Sequence, residues 1–202
     1  MTRWQRIARE TVGSDYAARY ASRFRALAVR GDVHGEARFV TELVDPPAGV
    51  LDAGCGTGRV AIRLAELGYD AVGADVDASM LAMARQEAPA LSWHEADLST
   101  FDLGRAFDVV LVAGNTIPLL EPGTLPATAD RLAAHLADEG LLVCGFGLDD
   151  AHLPGDCPVT PLADVDVAFA AAGLEQVERF SGWDGAPYDQ SDGYVVTVHR
   201  RA

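Results

Sequence analysis

The spacing of apolar positions changes near Pro47. Before it they recur every three or four residues. Ala17, Tyr20, Phe24 and Leu27 share one face of a helix that starts near Ser14 and that Gly31 is expected to end. A second helix is predicted within "GDVHGEARFVTELVDPP", stopped by Pro46-Pro47. Beyond it, short apolar runs alternate with helical stretches. Strands are predicted at residues 50–53, 70–74, 91–94 and 107–112, with helices at 59–67, closed by Gly68, and at 78–87, ending before Pro89. A helix over 125–137 puts Leu125, Ala129, Leu132 and Leu136 on one face with Gly140 as its cap, and 141–144 is a fifth strand. An alanine-rich helix follows over 161–172, capped by Gly173. Two late strands, 174–180 and 193–199, have a loop and no helix between them, so they pair antiparallel. Apolar strands alternating with helices form a parallel sheet covered on both faces, an α/β fold.

In such a sheet the ligand crevice lies beyond the carboxyl ends of the strands, where the strand order reverses. The stretch "VLDAGCGTGR" occupies that point, with Gly54, Gly56 and Gly58 on alternate positions after the first strand. Glycine there lets a ligand touch the backbone with no Cβ in the way. A dinucleotide fingerprint would need a glycine at position 59, which is Arg59, and a phosphate-cradling loop would need a lysine, which is absent. Asp52 at the start of the loop would repel a phosphate and suits an uncharged or cationic group. Asp75 ends the second strand, where a carboxylate can accept both hydroxyls of a ribose, and Asp97 follows the third strand. One such aspartate is as easily a helix cap or a solvated turn. Three of them around one glycine loop indicate a site.

The chain has 202 residues, 49% hydrophobic, enough for one domain over residues 1–202, with a helical segment at 1–47 and a core at 48–202. Its net charge of -14, from 16 Lys+Arg against 30 Asp+Glu, disfavours a polynucleotide or an acidic membrane as partner. No apolar run approaches a membrane span, and no apolar signal region follows the charged N-terminus, so a cytoplasmic location is expected. Cys55, Cys144 and Cys157 have neither disulfide-framework nor metal-ligand spacing, and no metal is expected.

"VLDAGCGTGR", "AVGADVDASMLAMAR", "EADL" and "FDVVLVAGNT" resemble the successive motifs of the class I S-adenosylmethionine-dependent methyltransferases, over about residues 50–144. The resemblance implies a Rossmann-like doubly wound sheet of seven strands, mostly parallel with the last antiparallel, plus an N-terminal helical lid. It implies S-adenosyl-L-methionine as cofactor and S-adenosyl-L-homocysteine as product. Asp52, Gly54, Cys55, Gly56 and Gly58 would line the methionine part, and Asp75 the ribose. Val76 or Met80 would pack on the adenine, with Asp97 and the Leu98 amide at its edge. Ala113, Gly114 and Asn115 would lie next to the transferring methyl, and Asp77, where serine is common, would cap a helix.

Methyl transfer from a sulfonium asks mainly for alignment, worth about 7–11 kcal/mol through positioning. A general base is needed only for a protonated acceptor. Asn115 and the loop residue His34 are the catalytic candidates. Tyr16 and Tyr20 on the lid helix, and Trp183 and Tyr188 in "SGWDGAPYDQSDGY", are the candidates for the acceptor site, each equally able to be core packing. The expected partner is a small-molecule methyl acceptor, with no nucleic acid or membrane, for a monomer or homodimer. The alternatives are an S-adenosylmethionine-binding regulator without catalysis and, less favoured, an NAD-dependent oxidoreductase.

Overall fold

Seven strands lie side by side in the order β3-β2-β1-β4-β5-β7-β6 in the computed structural model, which describes residues 1–28 and 33–202. They are β1 (Gly49–Ala53), β2 (Asp70–Asp75), β3 (Ser92–Glu95), β4 (Phe107–Val112), β5 (Leu136–Gly147), β6 (Leu174–Phe180) and β7 (Tyr194–Arg201). The first five are parallel, and β7 runs antiparallel to both β5 and β6. The mixed, doubly wound sheet is therefore as the motifs implied. From β1 the chain winds outward through β2 and β3, then returns to β4 on the other side. The switch point lies between β1 and β4.

Helices cover both faces because residues on these strands alternate between two apolar cores. Val110, Val112 and Phe146 pack against Leu132 of α6 (Leu125–Ala134) and Phe169 of α7 (Leu162–Ala171). Val109, Leu111 and Val143 point the other way, onto Phe39 and Val40 of α3 (Gly35–Leu43) and Leu64 of α4 (Arg59–Glu66). Helix α5 (Ala78–Glu87) follows β2, and Asp77 caps it, accepting from the Ser79 and Met80 amides. The expected stop at Gly31 lies outside the described residues.

Two elements depart from the pattern. Helix α6 ends at Ala134, and β5 begins at Leu136, so Gly140 is a strand residue and caps nothing. Leu136 continues the apolar face of α6 but pairs with Phe107, whose amide donates to the His135 carbonyl at 2.8 Å. Strand pairing overrides helical spacing there. An additional helix, α1 (Arg3–Val12), precedes α2 (Tyr16–Ala28). Thr2 and Gln5 form its capping box, and only Ile7 and Ala8 of it are buried.

His199 lies inside the sheet, 2% exposed, with its ring edge-on to Phe169 at 4.9 Å. Burial pushes its pKa from 6.5 down to about 4, Asp166 opposing and Arg179 assisting. The native state thus holds the ring neutral while the unfolded chain protonates below 6.5. Its contribution is complete above 6.5 and is lost as the pH falls toward 4, by about 3 kcal/mol in all. Urea unfolding at pH 7 and pH 5 should show a steeper loss for the wild type than for His199→Leu. Parallel profiles would contradict this assignment.

Candidate cofactor site

Strand β1 ends at Ala53, and the glycine loop turns back over β2. The Gly54 and Cys55 amides both donate to the Ala74 carbonyl, at 2.8 and 3.0 Å. Gly54, Gly56 and Gly58 all hold positive φ, at 84°, 56° and 79°. A Cβ on Gly54 would collide with Thr116, and one on Gly58 with the Trp93 ring. Here close approach of the protein to itself, as well as backbone conformation, demands glycine.

Beneath the loop the Asp52 carboxylate accepts from the Ala61 amide at 3.1 Å, which fixes the start of α4. Burial pushes its pKa up to about 7. Asp75 accepts from the amides of Gly56 and Asp77, both at 2.8 Å, so it clamps loop to strand end. Burial lifts its pKa to about 6, with those backbone hydrogen bonds working against the rise.

A cavity of about 360 Å³ opens above this clamp. Gly54, Gly56, Gly114 and Asn115 form its floor, and Asp75, Val76 and Met80 one wall, continued by Asp97 and Leu98. Thr2, Trp4, Tyr20 and Phe24 of the N-terminal segment cover it. The remaining wall is the stretch after β4, with Thr116, Leu119, Leu120, Glu121 and Thr124, together with Pro154. The backbone of Arg3 donates to Glu121, and its guanidinium reaches the Pro118 carbonyl at 2.9 Å, so α1 is tied to that wall. A Cβ on Gly114 would meet nothing within 4 Å, so at this floor position the bare backbone itself faces the cavity.

Several residues singled out from the sequence lie elsewhere. Asp52, Gly58 and Ala113 support the cavity without lining it. The buried Cys55 likewise stays behind the loop, and burial raises its thiol pKa well above the ordinary value. The Tyr16 hydroxyl is bound to Asp77 and Ser79, beneath the lid helix and away from the cavity. Trp183 packs on Phe39 at 5.7 Å, fills the space over Gly145, and donates to the Tyr194 hydroxyl at 3.1 Å. Tyr188 lies under the Arg179 guanidinium. His34 lines a second cavity, about 400 Å³, between α2, α4 and α5. Aromatic content signalled packing in these cases, because ring area is as useful to a core as to a ligand.

Asn115 lines the cavity, but its side chain is spoken for. It is the one non-glycine with positive φ (66°) among the described residues. Its amide oxygen accepts from Gly147 at 2.7 Å, and its nitrogen donates to the His152 carbonyl at 2.8 Å. Asn115→Ala should lower stability by about 2–4 kcal/mol from two lost hydrogen bonds and a left-handed backbone without its stabiliser. Asn115→Gly should recover about 1 kcal/mol of that, read from urea midpoints. Equal losses would show that the backbone carries no strain.

Residues 50–140 match a family model described as a methyltransferase domain. A solved TehB-like SAM-dependent methyltransferase from Corynebacterium glutamicum has 31% identity and a TM-score of 0.84, over 93% of this chain and 98% of that one. The chain belongs to the S-adenosylmethionine-dependent methyltransferases. A dTDP-3-amino-3,6-dideoxy-alpha-D-glucopyranose N,N-dimethyltransferase from Streptomyces fradiae is 35% identical over 55% of this methyltransferase and 46% of its own length. A ribosomal protein L11 methyltransferase from Caldanaerobacter subterraneus is 32% identical over 56% and 36%. The chain thus spans less than half of either relative, and the two differ in class of acceptor.

Among the described residues, four carboxylates line the cavity of the methyltransferase, those of Glu36, Asp75, Asp97 and Glu121, against one guanidinium, that of Arg59. Arg59 stands where a dinucleotide loop would have its third glycine. It forks onto Glu36 through both terminal nitrogens, donates to the Val33 carbonyl, and lies 4.8 Å from the centre of the Phe24 ring. The sequence alone did not mark Arg59, Glu36 or Trp4 as lining residues.

Proposed function

We propose that this protein transfers a methyl group from S-adenosylmethionine to a small-molecule acceptor by direct displacement. The observation that supports this is the continuity of one cavity from the glycine loop, past Asp75 and Asp97, to the mixed wall beyond the turn at Gly114, where Leu119, Leu120 and Pro154 supply its apolar part. Bound S-adenosylmethionine would supply a methyl carbon already activated by a positive sulfur. Asp75 would accept the ribose hydroxyls, while Val76 and Met80 present an apolar face to the adenine and Asp97 and the Leu98 amide read its edge. Gly54 and Gly56 would support the methionine part. Trp4, Leu119, Leu120 and Pro154 then surround the space left for an acceptor, and the α1–α2 segment excludes water from it. Net negative lining favours a neutral or cationic acceptor over a polyanion. His34, Trp183 and Tyr188 have no part in this proposal.

No described helix is long and apolar enough to cross a membrane. We extend the proposal to a cytoplasmic protein, for which three free, buried cysteines are suited.

The test is calorimetric titration with S-adenosylhomocysteine and, separately, NAD, followed by incubation with S-adenosylmethionine carrying a labelled methyl and a mixture of low-mass amines, phenols and thiols. Micromolar binding of the sulfur nucleoside and label in the low-mass fraction are expected. Label confined to added ribosomal protein would replace the small acceptor with a protein. Tight nucleoside binding with no transfer to either would leave a regulator.

A further inference from the structure

Sheet order fixes what stands beside what along the carboxyl edge. Asp97 follows β3, Asp75 ends β2, the glycine loop follows β1, and the Gly114 turn follows β4. The proposed function lays the cofactor over the first three, so the acceptor is left the part of the cavity beyond Gly114. Three segments build that part and are packed on one another. Ile7 of α1 meets Leu119, Leu153 and Cys157 in one apolar cluster. The Arg3 guanidinium and the Cys157 thiol both donate to the Pro118 carbonyl, at 2.9 and 3.5 Å.

Among the described residues that line this part, from Thr2 and Trp4, the stretch 115–124 and Pro154, Glu121 is the one charged side chain. Its simplest use is to hold the positive start of α1. Two observations go further. Thr2 and Gln5 already cap that helix, and Glu121 adds a single bond, accepted by Oε1 from the Arg3 amide. Oε2 has no hydrogen-bond partner among the described residues, and no basic side chain there pairs with the carboxylate, the neighbouring Arg3 guanidinium being turned to Pro118. A full negative charge thus stands in the wall without a counter-cation, next in the chain to Leu119 and Leu120, and Trp4 follows the residue that it holds.

Taking the proposed function as given, we propose that Glu121 selects the acceptor, and that the acceptor is an amine carried on an apolar body. The carboxylate takes the nitrogen end through Oε2, while Trp4, Leu119, Leu120 and Pro154 take the body. A carboxylate and an aromatic ring both attract an organic ammonium. The amine reacts in its neutral form. Its lone pair forms the N–C bond as the C–S bond breaks, and the electron pair of that bond stays on sulfur. S-adenosylhomocysteine and a methylated ammonium result, so the positive charge has moved from sulfur to nitrogen. A carboxylate fixed beside the nitrogen stabilises that charge as it develops. An anionic acceptor is repelled by the same group.

The test is an NMR titration of the S-adenosylhomocysteine-loaded protein with benzylamine (a cation at neutral pH), benzyl alcohol and phenylacetate. The bound nucleoside occupies the walls at Asp75 and Asp97, so Glu121 is left to distinguish the three probes by charge. The wild type should bind benzylamine about fivefold or more tightly than benzyl alcohol, and phenylacetate most weakly. Glu121→Gln keeps an oxygen for the Arg3 amide and should bring benzylamine within about twofold of the alcohol. The alcohol and S-adenosylhomocysteine should each stay within about twofold of their wild-type affinities, which also shows that the variant is folded. A purely structural tie would shift amine and alcohol together. Wild-type protein that binds benzylamine no better than benzyl alcohol, or fails to bind it, overturns the proposal. So does a preference for the amine that survives Glu121→Gln. Label from S-adenosylmethionine that reaches phenols or thiols and not amines overturns it as well. Failure of the wild type to bind S-adenosylhomocysteine is a separate result, and the proposed function itself falls with it.

Discussion

Asp75→Ala should weaken S-adenosylhomocysteine binding by about 1.5–3 kcal/mol, roughly ten- to a hundredfold, because it removes a charged acceptor facing two hydroxyls. The carboxylate also holds the Gly56 and Asp77 amides at 2.8 Å, so some thermal stability should be lost as well. Asp75→Asn separates the two effects. It keeps an acceptor for one amide and loses the charge, so its stability should lie nearer the wild type than its affinity does. The pH dependence follows from the same group. Burial places its pKa near 6, and binding needs the ionised form. Affinity should therefore be full above that value and fall as the pH drops through it, by up to about tenfold per unit. Affinity that stays level from pH 8 to pH 5 in the wild type would remove Asp75 from the ribose.

Gly58→Ala should be the most damaging small substitution in the loop. The residue holds φ 79° as the N-cap of α4, and an added Cβ would enter the Trp93 ring, with Ala84 at 3.0 Å behind it. Left-handed backbone costs a residue other than glycine about 1–2 kcal/mol, and overpacking adds about 1–3. For a domain of this size the sum corresponds to a fall in melting temperature of about 5–15 °C. The companion change Trp93→Leu should restore part of the loss by vacating the space, whereas Gly104→Ala serves as a control. Gly104 has positive φ as well (64°), but a Cβ there meets nothing. Equal effects at the two glycines would show that backbone strain alone decides the cost.

The alternation of strand and helix was legible because β1, β2 and β4 are buried on both faces and read as continuous apolar runs bounded by glycine and aspartate. The same logic placed Asp75 at a strand end and Asp77 as a cap, since a carboxylate at either position has a local job. Helix α1 was not legible from periodicity, because two buried residues in ten give almost no stripe, although Thr2 and Gln5 had the spacing of a capping box. Missing it meant missing Trp4 in the cavity. Arg59 was read only as an absent glycine, and its pairing with Glu36, 23 residues earlier, depends on how α3 packs against α4. His34, Trp183 and Tyr188 show the converse: each residue type suits chemistry, and no local pattern says which way the side chain turns.

The two outer strands of the sheet are unlike its centre. β3 is four residues long and mostly exposed, and β6 carries Glu175, Glu178 and Arg179 around a register shift between Gln176 and Glu178. Short, charged or bulged borders give a second copy little to zip onto. At neutral pH the net charge of -14 keeps copies apart as well. The charge at the border of β6 and the net charge both depend on ionised carboxylates, so acidification weakens these two together and leaves only the shortness of β3 and the register shift of β6. As the solution approaches the isoelectric point, self-association rather than loss of the native core should set the lower limit for working with concentrated protein.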